Sequence, residues 1–206
     1  MLPLLRFVPF SLLLLAGIQD RLHGQNLNLH YRIQKGDTPI GTMDIYQTDS
    51  SGSTIYKTVM NARLCLVFFT IQVKDTKTAR FTGRGLQYCS AERRIHGKST
   101  CSRETIRKGR DYTDGKKKLE NLRQEVDYAT VQLFTHEPQG KTTVFSEYYQ
   151  QDYKVECIEP HHYRVKMADG NMGDYYYRSG ICYKIVTETR WATVTSLLQA
   201  DSIANQ

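Results

Sequence analysis

The chain has 206 residues, of which 40% are hydrophobic and 24% charged, and a formal net charge of +7. Its length suits one domain with a substantial core rather than a string of domains. The positive balance favours anionic partners; for a chain that is exported, as its first residues suggest, nucleic acid is excluded in practice, which leaves lipid head groups, glycans or plain solubility.

Residues 1–24 read as an export signal. Arg6 supplies a thin positive start, Phe7 to Ile18 form an apolar run, and Leu22 and Gly24 offer a small-residue cleavage site before Gln25. The run is shorter than the roughly 20 apolar residues of a spanning helix; an uncut anchor is the alternative. No cysteine precedes Cys65, so a lipid-anchored processed N-terminus is not expected. Removing 24 of the 206 residues leaves 182, and the charge becomes +6 as Arg6 and Arg21 leave with Asp20. The expectation is a periplasmic or secreted chain that is not an integral membrane protein once the signal is removed. It has one β-rich domain over 25–200 and a flexible tail over 201–206.

Strand patterns dominate the chain beyond the signal. Leu27, Leu29, Tyr31 and Ile33 alternate with polar neighbours, and the turn Lys35-Gly36-Asp37 leads to a second strand from Ile40 to Tyr46. After the loop Asp49–Ser53, Thr54 to Met60 form a third strand. The apolar run Leu64–Phe69 continues with period two to Val73, so its first half should be covered on both faces, with Cys65 a buried thiol. Phe81–Ser90 and Lys98–Arg107 read as a hairpin around Arg93-Arg94, with Gly83-Arg84-Gly85 as a bulge or bend.

One segment breaks the pattern. Leu119, Leu122 and Val126 recur at helical spacing, and Tyr128–Phe134 either continue or restart a helix that Pro138 and Gly140 end. The last third returns to strands. Tyr153, Val155 and Cys157 share one face, as do Tyr163, Val165 and Met167. Tyr175–Tyr177, the turn Ser179-Gly180, the strand Cys182–Thr189 and a closing strand over Trp191–Leu198 complete the chain. The fold expected is mainly β: a curved antiparallel meander or half-barrel with one or two short covering helices.

Five cysteines remain in the processed chain, an odd number in an oxidising compartment. Cys89 with Cys101, across a turn near Ile95–Gly97, is the first candidate disulfide, and Cys157 with Cys182 the second; reduced, purely packing thiols are the alternative.

Several short blocks carry a resemblance. They are Tyr31-Arg32-Ile33 with Gly36 and Ile40-Gly41, then His136-Glu137-Pro138-Gln139-Gly140 with Phe145-Ser146-Glu147. Tyr163-Arg164-Val165, Asp169-Gly170, Tyr175-Tyr176-Tyr177 and Gly180 complete the set. In that order they resemble domain-of-unknown-function family 6134, uncharacterised exported bacterial proteins, across essentially the whole processed chain. The resemblance implies no catalytic residue. More remotely, the layout is similar to the periplasmic lipoprotein-carrier group, which implies an open half-barrel with a helical cover and acyl chains on its concave side; fold alone does not assign function.

Tests for chemistry find no complete constellation. Adjacent His161 and His162 point to opposite faces of a strand, and His136-Glu137 lacks the second histidine of a zinc-protease motif, since Gly140 stands there. Ser146 has no flanking glycines of a nucleophile elbow, and Cys65 among apolar residues would have a raised pKa. Glu137 and Glu147 could form a carboxylate pair; turn-shaping by Glu137 and an ion pair for Glu147 are the alternative. The expectation is therefore no enzyme, no cofactor and no metal.

The 14 tyrosines are the most suggestive feature of composition. A face lined by Tyr31, Phe69, Tyr153, Tyr163, Tyr175 and Tyr177 would offer apolar area with polar tips, suited to an amphipathic ligand; tyrosine's preference for half-exposed strands is the alternative. Lys116-Lys117-Lys118, with Arg103, Arg107, Lys108 and Arg110, is either a solvated loop or a guide for anionic head groups. The leading functional expectation is a non-catalytic binding or carrier module for a lipid-like molecule. The other is a structural module of the envelope that meets another protein.

Overall fold

The computed structural model describes residues 26–65, 69–120, 122, 125–189 and 192–200. The expected signal and tail lie outside the described residues, as does Trp191. The first arm of the fold comprises β1 (Asn26–Lys35), β2 (Thr38–Ser50), β3 (Ser53–Cys65), β4 (Thr70–Thr82), β5 (Gly85–Ile95), β6 (Lys98–Lys108) and β7 (Asp111–Thr113). The second comprises β8 (Thr143–Ser146), β9 (Gln151–Glu159), β10 (His162–Lys166), β11 (Met172–Arg178), β12 (Ile181–Glu188) and β13 (Thr193–Leu198). Each arm is a meander, because two-residue turns such as Gly36-Asp37 and Ser179-Gly180 return the chain beside itself.

The two arms join where the first and last strands meet. Tyr31 pairs with Leu198 and Ile33 with Ser196, giving one antiparallel sheet in the order β7-β6-β5-β4-β3-β2-β1-β13-β12-β11-β10-β9-β8. Its edges, β7 and β8, are consecutive in the chain. The sheet is open but strongly curved. In a flat sheet β6 and β9 would stand about 48 Å apart, ten strand spacings. Instead the Gln150 side chain, in the β8–β9 turn, donates to the Glu104 carbonyl at 2.8 Å and to the Thr105 hydroxyl at 3.0 Å on β6.

The segment from β7 to β8 crosses this trough as a strap, and here the expected helix is corrected. Among the described residues it contains one 3₁₀ turn, Thr130–Phe134, entered from Ala129 in an extended conformation. The physical reason lies in the partners its backbone finds. Its backbone groups are satisfied by the sheet rather than by a helix. Leu86 N–H donates to the Val126 carbonyl (2.7 Å), and Phe145 N–H donates to the Tyr128 carbonyl (3.0 Å). The Tyr112 hydroxyl accepts from Val126 N–H and donates to the Leu86 carbonyl, both at 3.1 Å.

Side chains of the strap divide between two cores. Val126, Ala129 and Val131 join Tyr56, Phe81, Leu86, Tyr112 and Phe145. Tyr128, Leu133 and Phe134 join Leu29, Tyr31, Ile45, Val165 and their neighbours on β1, β2 and β8–β12.

Other expectations change with the register. Gly83-Arg84 is the β4–β5 turn rather than a bend within a strand, and the β5–β6 turn falls at His96-Gly97 rather than at Arg93-Arg94. The run Leu64–Phe69 is not one covered strand. Leu64 and Cys65 end β3 and Phe69 precedes β4, while residues 66–68 lie outside the described residues. Cys65 is accordingly exposed, not buried.

All five cysteines are free. The tight β5–β6 turn sets Cys101 opposite Arg93 and leaves Cys89 opposite Thr105, so the first expected pair never meets. Cys157 is on β9 and Cys182 on β12, three strand spacings or about 14 Å apart, well beyond disulfide reach.

Candidate functional site

The five predicted tyrosines do come together. Tyr31, Tyr153, Tyr163, Tyr175 and Tyr177 all point into the trough and belong to one buried cluster. They close around the strap rather than around open space. The Tyr31 ring meets Phe134 edge-on at 6.0 Å, and the Tyr177 hydroxyl donates to the Leu133 carbonyl at 2.8 Å. The Tyr31 hydroxyl donates to the Cys182 carbonyl at 2.5 Å. Tyr175 lies across Gly173, where an added Cβ would stand 2.9 Å from its ring. Burial raises the pKa of Tyr31 and Tyr177 well above the usual phenol value, with the Cys182 thiol adding to the effect. Phe69 does not join them. It stands 54% exposed at the end of the β3–β4 hairpin.

A buried carboxylate holds the strap down. Glu147 accepts from the Thr130 hydroxyl and from Val131 N–H (3.0 Å), and Lys77 of β4 lies 3.9 Å from it while donating to the Thr130 hydroxyl at 3.1 Å. A helical turn that begins without its own N-cap is thus capped from the sheet. The second carboxylate of the sequence pair serves elsewhere. Glu137 lies 3.1 Å from His161 Nδ1 through both oxygens. Burial alone would raise its carboxyl, but hydrogen bonds from His161, Tyr163 and Gln139 outweigh this and hold it below the usual range. The same contact, added to burial, pushes Tyr163 up to about 12.

His162 turns elsewhere, not by the expected strand alternation, because His161 sits in the β9–β10 turn with a φ of 65° and only His162 begins β10. Its Nε2 is 2.9 Å from Asp174, which also takes a two-pronged bond from Arg164 at 2.9 and 3.0 Å, and its ring stacks on Tyr176 at 4.2 Å. Burial raises the Asp174 carboxyl while Arg164 and His162 lower it, and the net direction is down. The two histidines therefore bind two different carboxylates. Among the described residues no group of three or more histidine, cysteine or acidic side chains could hold a metal ion.

The open space is at the far end of the first arm. Gly41, Ala62, Val73 and Ile95 lie in one row across β2–β5, with Asn61, Lys74 and Arg94 in the row beside it. A cavity of about 520 Å³ is lined by Ile40, Gly41, Ala62 and Val73 together with Arg63, Lys74 and Arg94. Glycine is required at 41, because a Cβ there would stand 2.1 Å from the Asn61 carbonyl oxygen. A second cavity, of about 550 Å³, adjoins it around Lys35, Pro39, Ile40, Arg63, Leu64 and Cys65. The next row inward closes the trough. There the Arg93 side chain donates to Asp75 at 2.8 Å, and its guanidinium lies 4.3 Å over the Tyr148 ring from the β8–β9 turn.

A family model for a domain of unknown function, number 6134, matches residues 31–199. The chain belongs to that family. Neither a curated protein nor a solved structure matches it. The match takes in the strap, the tyrosine cluster and the open end alike, and of the sheet it leaves out only the first half of β1.

Sequence reasoning found the tyrosines but missed the cations that line the open cavity. Its basic region lies elsewhere. Lys118 pairs with Asp111 at 3.0 Å, and the backbone of Lys116 and Lys117 folds onto Asp114 in a surface turn at the β7 edge. The usable signal was Arg63 immediately before the apolar run, with Lys74 soon after it and Arg94 one strand away.

Proposed function

We propose that the protein is a non-catalytic binding module of the cell envelope that takes an anionic, amphipathic molecule at the open end of its sheet. The observation that carries this reading is the 520 Å³ cavity, whose lining combines Ile40, Gly41, Ala62 and Val73 with Arg63, Lys74 and Arg94. Binding sites for small molecules have this size and this mixture of apolar wall with a few polar groups. The tyrosine-lined centre is occupied by the protein's own strap, which supports a ligand at the far end of the first arm rather than in the middle of the trough. Export in the first 24 residues supports a periplasmic or secreted location, and among the described residues no helix is long and apolar enough to cross a membrane.

The test is extraction of the purified protein followed by mass spectrometry for lipid, with titration of a fluorescent fatty acid. Retention of an amphiphile, together with loss of fatty-acid binding in Ala62→Trp at unchanged folding, is the expected result. Empty extracts and no fatty-acid binding would sink the reading. The protein-interaction alternative draws on Tyr46 and Ile55, 40% and 38% exposed on adjacent strands of the outer face. A stoichiometric envelope partner lost in Tyr46→Ser would favour it.

A further inference from the structure

The sheet forks at the open end. The β2–β3 ladder stops at Gly41 with Ala62, although β2 begins at Thr38 and β3 runs on to Cys65. Beyond that pair each strand keeps only its other neighbour. Thr38 and Pro39 pair with Lys35 and Gln34 of β1, while Arg63, Leu64 and Cys65 pair with Gln72, Ile71 and Thr70 of β4. Pro39 has no N–H to offer a ladder, and the β1–β2 register slips beside it between Ile33 and Gln34. On the far side β4 and β5 stay together, since His96 N–H donates to the Gln72 carbonyl at 3.0 Å. The cavity of about 550 Å³ lies in the fork, with Thr38, Pro39 and Ile40 on one bank and Arg63, Leu64 and Cys65 on the other. The cavity of about 520 Å³ continues from it across β2–β5, and the two share Ile40 and Arg63.

Together they make one elongated depression with cations towards both ends. Lys35 lines the first cavity, Lys74 and Arg94 line the second, and Arg63 lines both. Lys35 on β1 and Arg94 on β5 stand four strand spacings apart, roughly 19 Å along the sheet, with Arg63 on β3 midway. Lys74 is directly opposite Arg94 in the ladder. The lining between the two ends includes Pro39, Ile40, Ala62 and Val73. The acidic groups nearby are Asp37, in the β1–β2 turn, Glu92, which Arg94 engages at 2.8 Å, and Asp75, which Arg93 engages at 2.8 Å. Among the described residues no carboxylate pairs with Lys35, Arg63 or Lys74. Positive charge gathered in a concave site attracts a counter-charge from outside, and here it is gathered at two places with apolar surface between them. We propose that the two cavities are one site for an amphiphile bearing two separate phosphoryl groups, Lys35 with Arg63 holding one and Lys74 with Arg94 the other. Such a ligand deepens the binding reading proposed above and depends on it. Two anchors on one molecule reinforce each other, because seating the first holds the second at high local concentration.

The experiment is calorimetric titration of the purified protein with three probes. Decane bisphosphate carries a phosphate at each end, decyl phosphate carries one, and propane bisphosphate carries two that are too close to reach both ends of the site. Decane bisphosphate should bind at least about tenfold more tightly than either of the others, and the advantage should shrink as salt rises. Lys35→Gln and Lys74→Gln, one at each end, should each reduce its affinity to about that of decyl phosphate. Arg63→Gln, which touches both cavities, should weaken decane bisphosphate and decyl phosphate alike. All three side chains are exposed, so each variant keeps the wild-type denaturation midpoint. Equal binding of decane bisphosphate and decyl phosphate overturns the two-point site and leaves the reading of a singly anionic amphiphile standing. So does an advantage that survives both lysine substitutions. Propane bisphosphate binding as tightly as decane bisphosphate also overturns it, by reducing the effect to bulk charge. Failure of all three probes to bind sinks both readings together.

Discussion

The strap-filled centre of the trough and the open end of the β3–β4 hairpin use the same kinds of residue to opposite ends. In the centre, Leu133 is fully buried among tyrosines whose hydroxyls are bonded to backbone carbonyls. At the hairpin end, Leu64 and Ile71 are half-buried and Phe69 is exposed, and neighbouring Lys35, Arg63 and Lys74 have no carboxylate partner among the described residues. An apolar side chain stabilises a fold only where something covers it. The centre thus contributes stability, whereas the open end leaves its apolar side chains largely uncovered.

That contrast is sharpest at Glu147. Glu147→Ala removes the acceptor of the Thr130 hydroxyl and of Val131 N–H and strands both in a dry interior, and the expected loss is about 4 kcal/mol of unfolding free energy in urea titration. A loss under 1 kcal/mol would mean the strap is held without it. Leu133→Ala should lose about 3 kcal/mol by opening a cavity in the main core. A smaller loss is expected in alkali. Burial pushes Tyr56 up to about 12, with the Asp49 charge adding and a hydrogen bond to Gln132 opposing, and Tyr163 likewise reaches about 12. The unfolded chain releases these protons near the ordinary value of 10.0 and the folded chain holds them longer. Their contribution is therefore complete below pH 10 and drains away as pH rises towards 12. A denaturation midpoint that stayed level across that window would place those hydroxyls in water. The least effect belongs to Phe69→Ser, within about 0.5 kcal/mol of wild type. A loss as large as that of Leu133→Ala would erase the distinction between the two regions.

Much of this was legible in the chain. Alternation at Leu29, Tyr31 and Ile33, and again at Tyr153 and Val155 and at Tyr163 and Val165, assigns inward and outward faces without reference to anything distant, because a strand's period is local. The same pattern identified the tyrosines of the main core. It did not reveal what they face, since a tyrosine over a ligand and a tyrosine over Leu133 have the same sequence neighbours.

The strap defeated periodicity for a related reason. Leu119, Leu122 and Val126 are spaced like a helix and all three pack on the core around Leu86 and Tyr112, but the hydrogen bonds to Leu86, Tyr112 and Phe145, which no spacing expresses, decide the conformation. Cys89 and Cys101 missed each other on register, which a two-residue turn sets and composition does not express, and Cys157 and Cys182 on strand order. Hydrophobic alternation and turn residues alone specified an antiparallel meander with one apolar face. Which strands became neighbours at its centre, which half of that face was covered, and which cations gathered at the other half depended on β1 meeting β13 and on the strap crossing between them. Those are contacts between residues far apart in the chain, whose closure no local signal encodes.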